Sequence, residues 1–132
     1  MFSIVSKLKR KRKKKEDEIL RKKVSIEISS ISKKLRTNKE INFLHSGHLG
    51  DIINSLPFIR EISQKKKCNL FININRKINK DVKTEQHPSK DFFLTSDSFN
   101  KLIPLLKVQP YLKKIEIYKK EKVDINLDFF RD

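Results

Sequence analysis

From residue 41 onward the apolar positions change period in the order strand, helix, strand. Ile41 to Leu44 is a short apolar run suited to a buried parallel strand, and Ile52, Ile53, Leu56, Ile59 and Ile62 then recur at helical spacing across 51–64. Asn69 to Ile74 is again rich in Ile and Phe. The order predicts a βαβ unit, in which the helix supplies the crossover that two parallel strands require. Pro57 conflicts with a helix starting near Asp51, because proline lacks an N–H and crowds the carbonyl of Ile53; a kink or a later start is expected. Residues 75–91 are polar, contain Pro88 and predict a loop. Phe99 to Val108 predicts a second helix despite Pro104, with Pro110 closing it, and Lys114 to Tyr118 and Val123 to Phe129 alternate as two further strands. The pairs Phe92-Phe93 and Phe129-Phe130 are assigned to the core.

Charge divides the chain. Residues 1–40 carry fifteen basic and five acidic side chains, against seventeen and eleven in 41–132. Eight of the nine residues from Lys7 to Lys15 are basic, a density at which repulsion opposes an isolated helix. Beyond them Leu20, Val24, Ile28, Ile31 and Leu35 recur at helical spacing and predict one apolar stripe laid on the body of the protein. Val24, Ile26 and Ile28 also alternate as a strand would; the acidic run Glu16 to Glu18 ahead of Arg21 to Lys23 favours the helix through pairs four residues apart. The chain is therefore expected to be a basic helical extension, 1–40, followed by an α/β body, 41–132.

Composition narrows the class further. With 132 residues and 36% apolar content, one small core is the most to expect. A formal charge of +16 would point to polyanions, but the chain has no Ala and no Trp and its Lys outnumber its Arg 25 to 7, which a strongly AT-biased genome produces through its codons. The single Cys68 excludes an internal disulfide and gives no metal pair, so a reducing cytoplasm is expected. No apolar stretch approaches the roughly 20 residues of a membrane span, and the N-terminus lacks the apolar core of a signal peptide.

Candidate chemistry concentrates at His45-Ser46-Gly47-His48-Leu49-Gly50-Asp51, between the first strand and the helix. Both glycines of the chain fall there, so positive φ and close approach of a ligand to the backbone are expected at this turn, beside unpaired helix N–H groups. Asp51 has two readings: a helix cap, as Asp often is, or a base that accepts a proton. His45 and His48, three residues apart with no third ligand, argue against zinc, and His87 is distant in a loop. Ser46 and Ser55 lack a base and an orienting acid, which leaves no serine nucleophile. Lys65 to Lys67 fits the negative end of the first helix.

The run Leu44-His45-Ser46-Gly47-His48-Leu49-Gly50-Asp51-Ile52-Ile53-Asn54-Ser55-Leu56-Pro57-Phe58-Ile59-Arg60 resembles the N-terminal motif of the heptosyltransferase-like glycosyltransferases, family 9, of GT-B architecture. The spacing of Leu49-Gly50-Asp51 to Leu56-Pro57 matches, and Gln109 to Tyr118 with the acidic strand Asp124 to Asp128 is similar to the remainder of such first halves. The resemblance implies a partial Rossmann-like parallel sheet with flanking helices, the acceptor-binding half of a cleft between two such domains. It implies that Asp51 is the general base; beside it His45, Ser46, Gly47, His48, Gly50 and Asn54 are the expected acceptor-binding residues, the histidines suited to a sugar hydroxyl or an acceptor phosphate, and no metal or other cofactor is expected. The implied partners are a glycan or lipid-linked sugar acceptor, and a nucleotide-sugar donor only if a second domain supplies its site. Since the chain stops at Asp132 after about four strands, it is expected to be a fragment of a longer gene, or a stand-alone relic whose partner chain supplies the rest, inactive alone.

Two other classes stay open. Lys7 to Lys15 suits a nucleic-acid-binding module, although the tract has no interleaved aromatics for stacking. It equally suits a peripheral membrane module at the inner membrane face, in which Phe2, Ile4, Val5 and Leu8 insert while the lysines face anionic lipid. A solvated, poorly ordered tail is the plain alternative to both.

Overall fold

A computed structural model describes residues 3–77 and 92–130; the expectations for Phe2, His87 and Pro88 lie outside them. The chain divides into two compact units, 1–37 and 38–132. The first is one helix, α1 (Ile4–Thr37). It runs straight through the basic tract, against the expectation from charge repulsion: Lys and Arg are good helix formers, and at exposed positions water and salt screen their repulsion. Arg12 meets Glu16 at 3.2 Å and Lys22 meets Glu18 at 3.8 Å, both exposed pairs four residues apart. The expected apolar stripe of α1 is uneven. Ile31 is buried and Val24 and Leu35 are half-buried, but Leu20 and Ile28 are exposed.

The second unit is built on β1 (Glu40–His45), α2 (Leu49–Ser63), β2 (Lys67–Ile72), α3 (Ser96–Lys107), β3 (Lys114–Ile117) and β4 (Ile125–Asn126), which ends in a 3₁₀ turn at Leu127–Phe130. The four strands form one all-parallel sheet in the order β3-β2-β1-β4. The predicted βαβ unit is present, with Ile41 opposite Cys68 and Phe43 opposite Leu70. α2 starts at Leu49, earlier than Pro57 suggested, and carries Pro57 in its interior. β4 is much shorter than the run Val123 to Phe129, because the Asp128 N–H donates to Asn126 Oδ1 at 3.0 Å and turns the chain out of the sheet.

Register separates two faces. Ile41, Phe43, Cys68, Leu70, Ile72 and Ile125 are buried on one, together with Ile52, Leu56 and Ile59 of α2 and Phe99, Leu102 and Leu106 of α3. Phe43 and Phe58 pack edge to face at 6.2 Å. Burial there pushes the Cys68 thiol up to about 11. On the other face Asn69 Nδ2 donates to Glu40 Oε1 (2.6 Å) and to Asn42 Oδ1 (2.8 Å), while Asn42 Nδ2 donates to the Lys122 carbonyl. Asp124 accepts from the Asn42 N–H and from Asn38 Nδ2. The hydrogen bond from Asn69 holds the Glu40 carboxyl below its ordinary value, against a smaller effect of burial and with help from Lys113, Lys114 and Lys67.

Candidate functional site

β1 is where the strand order reverses: β2 and β3 follow on one side and β4 lies on the other. In an open parallel sheet the crevice at such a reversal, beyond the carboxyl ends of the strands, is where ligands bind. The turn 45–48 leaves β1 at that edge, and the 3₁₀ turn after β4 brings Asp128 against it.

Three consecutive amides of the turn are each taken by a side chain. Ser46 N donates to Asp128 Oδ1 at 2.8 Å, Gly47 N to His45 Nδ1 at 3.0 Å, and His48 N to Asp51 Oδ2 at 3.1 Å. The last of these makes Asp51 a helix cap in the third position of α2, with Ile52 N closing the first turn onto the His48 carbonyl. Because Nδ1 of His45 accepts from Gly47, its ring proton sits on Nε2, and the 3.7 Å approach to Asp128 is not a hydrogen bond. His48 has the opposite arrangement: Nδ1 donates to the Phe93 carbonyl at 2.8 Å. The His48 and Phe93 rings lie 4.9 Å apart, Arg76 sits 5.0 Å from the Phe93 centroid, and its Nη1 is 3.6 Å from Asp128 Oδ2.

The candidate residues therefore fall into two groups. His45, Ser46 and Gly47 are buried and build the turn; His48 and Asp51 are half-buried at its rim, and Gly50 and Asn54 are exposed on the first turns of α2. The glycines do not take positive φ. Gly50 is helical, and a Cβ built on it meets nothing within 4 Å. Among the described residues the left-handed positions are Asn75 and Lys120 instead. Asn75 follows β2 and donates its N–H to the Leu94 carbonyl.

Asp128, Arg76 and Phe93 belong to the site and were not among the sequence candidates. Asp128 carried a weak signal as the acid ending the last apolar alternation, whereas Arg76 and Phe93 stand in segments with none. Phe93 is half-buried at the site rather than in the core. Lys66 turns its ammonium to the Asn38 carbonyl at 2.6 Å and not to the end of α2. Among the described residues no three His, Cys, Asp or Glu stand as a metal set.

A concavity of about 500 Å³ opens at the amino ends of the strands between Asn38, Glu40, Asn69, Lys114, Lys122 and Asp124. There Asp124 accepts from Asn38 and Asn42 and Glu40 accepts from Asn69, while the buried Asn69 Oδ1 has no hydrogen-bond partner; the concavity lies at the strand ends opposite the β1–α2 turn. No family model, curated protein or solved structure matches the chain. The motif residues and this geometry alone carry the functional argument.

Proposed function

We propose that residues 38–132 are the acceptor-binding part of a heptosyltransferase-like glycosyltransferase, in a Rossmann-like sheet of GT-B type. The observation that carries this is the location of Leu49-Gly50-Asp51: the motif opens a helix directly after β1, at the one point where the strand order reverses. The order β3-β2-β1-β4 also matches the first four strands, 3-2-1-4, of the doubly wound order, which supports this reading.

The chemistry of the edge favours a hydroxyl-rich ligand over a phosphate. The amides of Ser46, Gly47 and His48, which could have cradled an anion, are already held by Asp128, His45 and Asp51. At the rim stand Asp51 and His48, half-buried, and Asn54, exposed; a carboxylate, an imidazole and a carboxamide are groups that pair with sugar hydroxyls. In this reading Asp51 takes the proton from an acceptor hydroxyl as its oxygen attacks the anomeric carbon of a nucleotide sugar, and the nucleotide leaves with the electrons of the broken bond. In this reading the donor is held by a second domain, and the described residues supply the acceptor side.

The test is amide shift mapping of the ¹⁵N-labelled chain against glycans and lipid-linked sugar fragments, with a nucleotide-sugar turnover assay beside it. Shifts confined to Gly47 through Asn54, weakened by Asp51→Ala and His48→Ala, are expected, with no turnover. Shifts confined to the Asn69 and Lys114 concavity, or turnover by the chain alone, overturn the proposal.

A further inference from the structure

α1 bears two apolar stripes on different sides. At about 100° per residue, Val24, Ile31 and Leu35 fall together, and they include the helix's buried residue. Ile4, Val5, Leu8, Ile19 and Ile26 fall in another sector about 100° wide. They stand 78%, 59%, 61%, 54% and 71% exposed. The other residues of that sector over the same stretch are Arg12, Lys15, Lys22 and Lys23, and none is acidic. Glu16, Asp17, Glu18 and Glu27 fall outside that sector, and the exposed pairs Arg12–Glu16 and Lys22–Glu18 run from its cations to its borders. Within that sector the aliphatic side chains are interrupted by cations alone, two of them in exposed ion pairs.

We propose that this face docks α1 in the plane of an anionic lipid surface, with Leu8, Ile19 and Ile26 in the acyl boundary and Arg12, Lys15, Lys22 and Lys23 reaching phosphate. This goes beyond the sugar-transfer reading and does not rest on it. The helix lies on the surface rather than through it: no helix among the described residues is long and apolar enough to cross a membrane. Nucleic acid fits the face less well, since five exposed aliphatic side chains have nothing to offer a phosphodiester backbone and the sector has no aromatic ring to stack on a base. A second copy of α1 fits poorly too, because pairing along this stripe would set Arg12, Lys15 and Lys22 against like charges. An anionic bilayer satisfies both halves of the pattern.

The experiment is co-flotation of the full-length chain with phosphatidylcholine vesicles, with and without about one-third phosphatidylglycerol, alongside retention on duplex DNA. The variant Leu8→Gln, Ile19→Gln, Ile26→Gln keeps every charge and uses a good helix former at exposed positions; circular dichroism checks that the helix persists. A control, Leu20→Gln with Ile28→Gln, removes exposed aliphatic residues outside the strip. Wild type is expected to float with the anionic vesicles alone. The triple variant should partition at least about tenfold less and retain DNA as before, and the control should float like wild type. Equal flotation of the triple variant and wild type overturns the proposal, as does a triple variant that loses DNA and vesicles in step.

Discussion

The three amides that leave β1 are held by Asp128, His45 and Asp51, so the turn keeps its shape without relying on glycine. Gly50 sits in the first turn of α2, at negative φ and with open space where a Cβ would stand. Alanine there loses less backbone entropy on folding, and Gly50→Ala is expected to raise stability by about 0.5–1 kcal/mol, measured by urea unfolding. The same variant separates structure from ligand. If an acceptor needs bare backbone at this position, the stabilised protein loses the acceptor-induced shifts; if it keeps them, residue 50 is helix surface and nothing more. The glycines and Asp51 marked the turn because they are adjacent in the chain. Asp128 reaches Ser46 across 82 positions of sequence, and no local period encodes such a pairing.

Elements were legible where one period dominated. Ile41 to Leu44 and Asn69 to Ile74 had no competing pattern, and both strands formed within two residues of their expected bounds. The alternation through Val123, Ile125 and Leu127 was misleading because Asn126, on the polar side of the strand, captures the Asp128 amide and ends pairing after two residues. In α2 and α3 apolar periodicity outweighed an internal proline, since burying Ile52, Leu56 and Ile59, or Phe99, Leu102 and Leu106, offsets one missing hydrogen bond. That local cost remains. Pro57 cannot donate to the Ile53 carbonyl, which lies at the solvent edge of α2, where Ile53 is 36% exposed. Pro57→Ala restores the donor, and a stabilisation of about 1–3 kcal/mol is expected, seen as a higher midpoint of thermal unfolding. An unchanged or lower midpoint would mean that α2 depends on a bend at Pro57 to seat Phe58 against Phe43.

For the molecule as a whole, charge and packing belong to different parts of the chain. Every described residue from Ser3 to Lys23 is exposed apart from the half-buried Ser6, whereas the sheet and its two helices hold most of the buried core. Deleting residues 1–15 removes eight basic and no acidic side chains, half of the formal +16, together with Ile4, Val5 and Leu8 of the apolar strip. No buried contact goes with them. The truncated chain is therefore expected to unfold in urea within about 0.5 kcal/mol of the full chain, as surface changes do. Its binding to duplex DNA and to anionic vesicles should fall together, because both draw on counterion release by Lys7 to Lys15; in the full chain both should weaken steeply as salt rises. A salt titration of the two chains against DNA of several sequences and against anionic and neutral vesicles checks this. Sequence-selective DNA binding that survives the deletion would move recognition into the sheet, to the β1–α2 edge assigned above to a sugar, and would overturn that assignment.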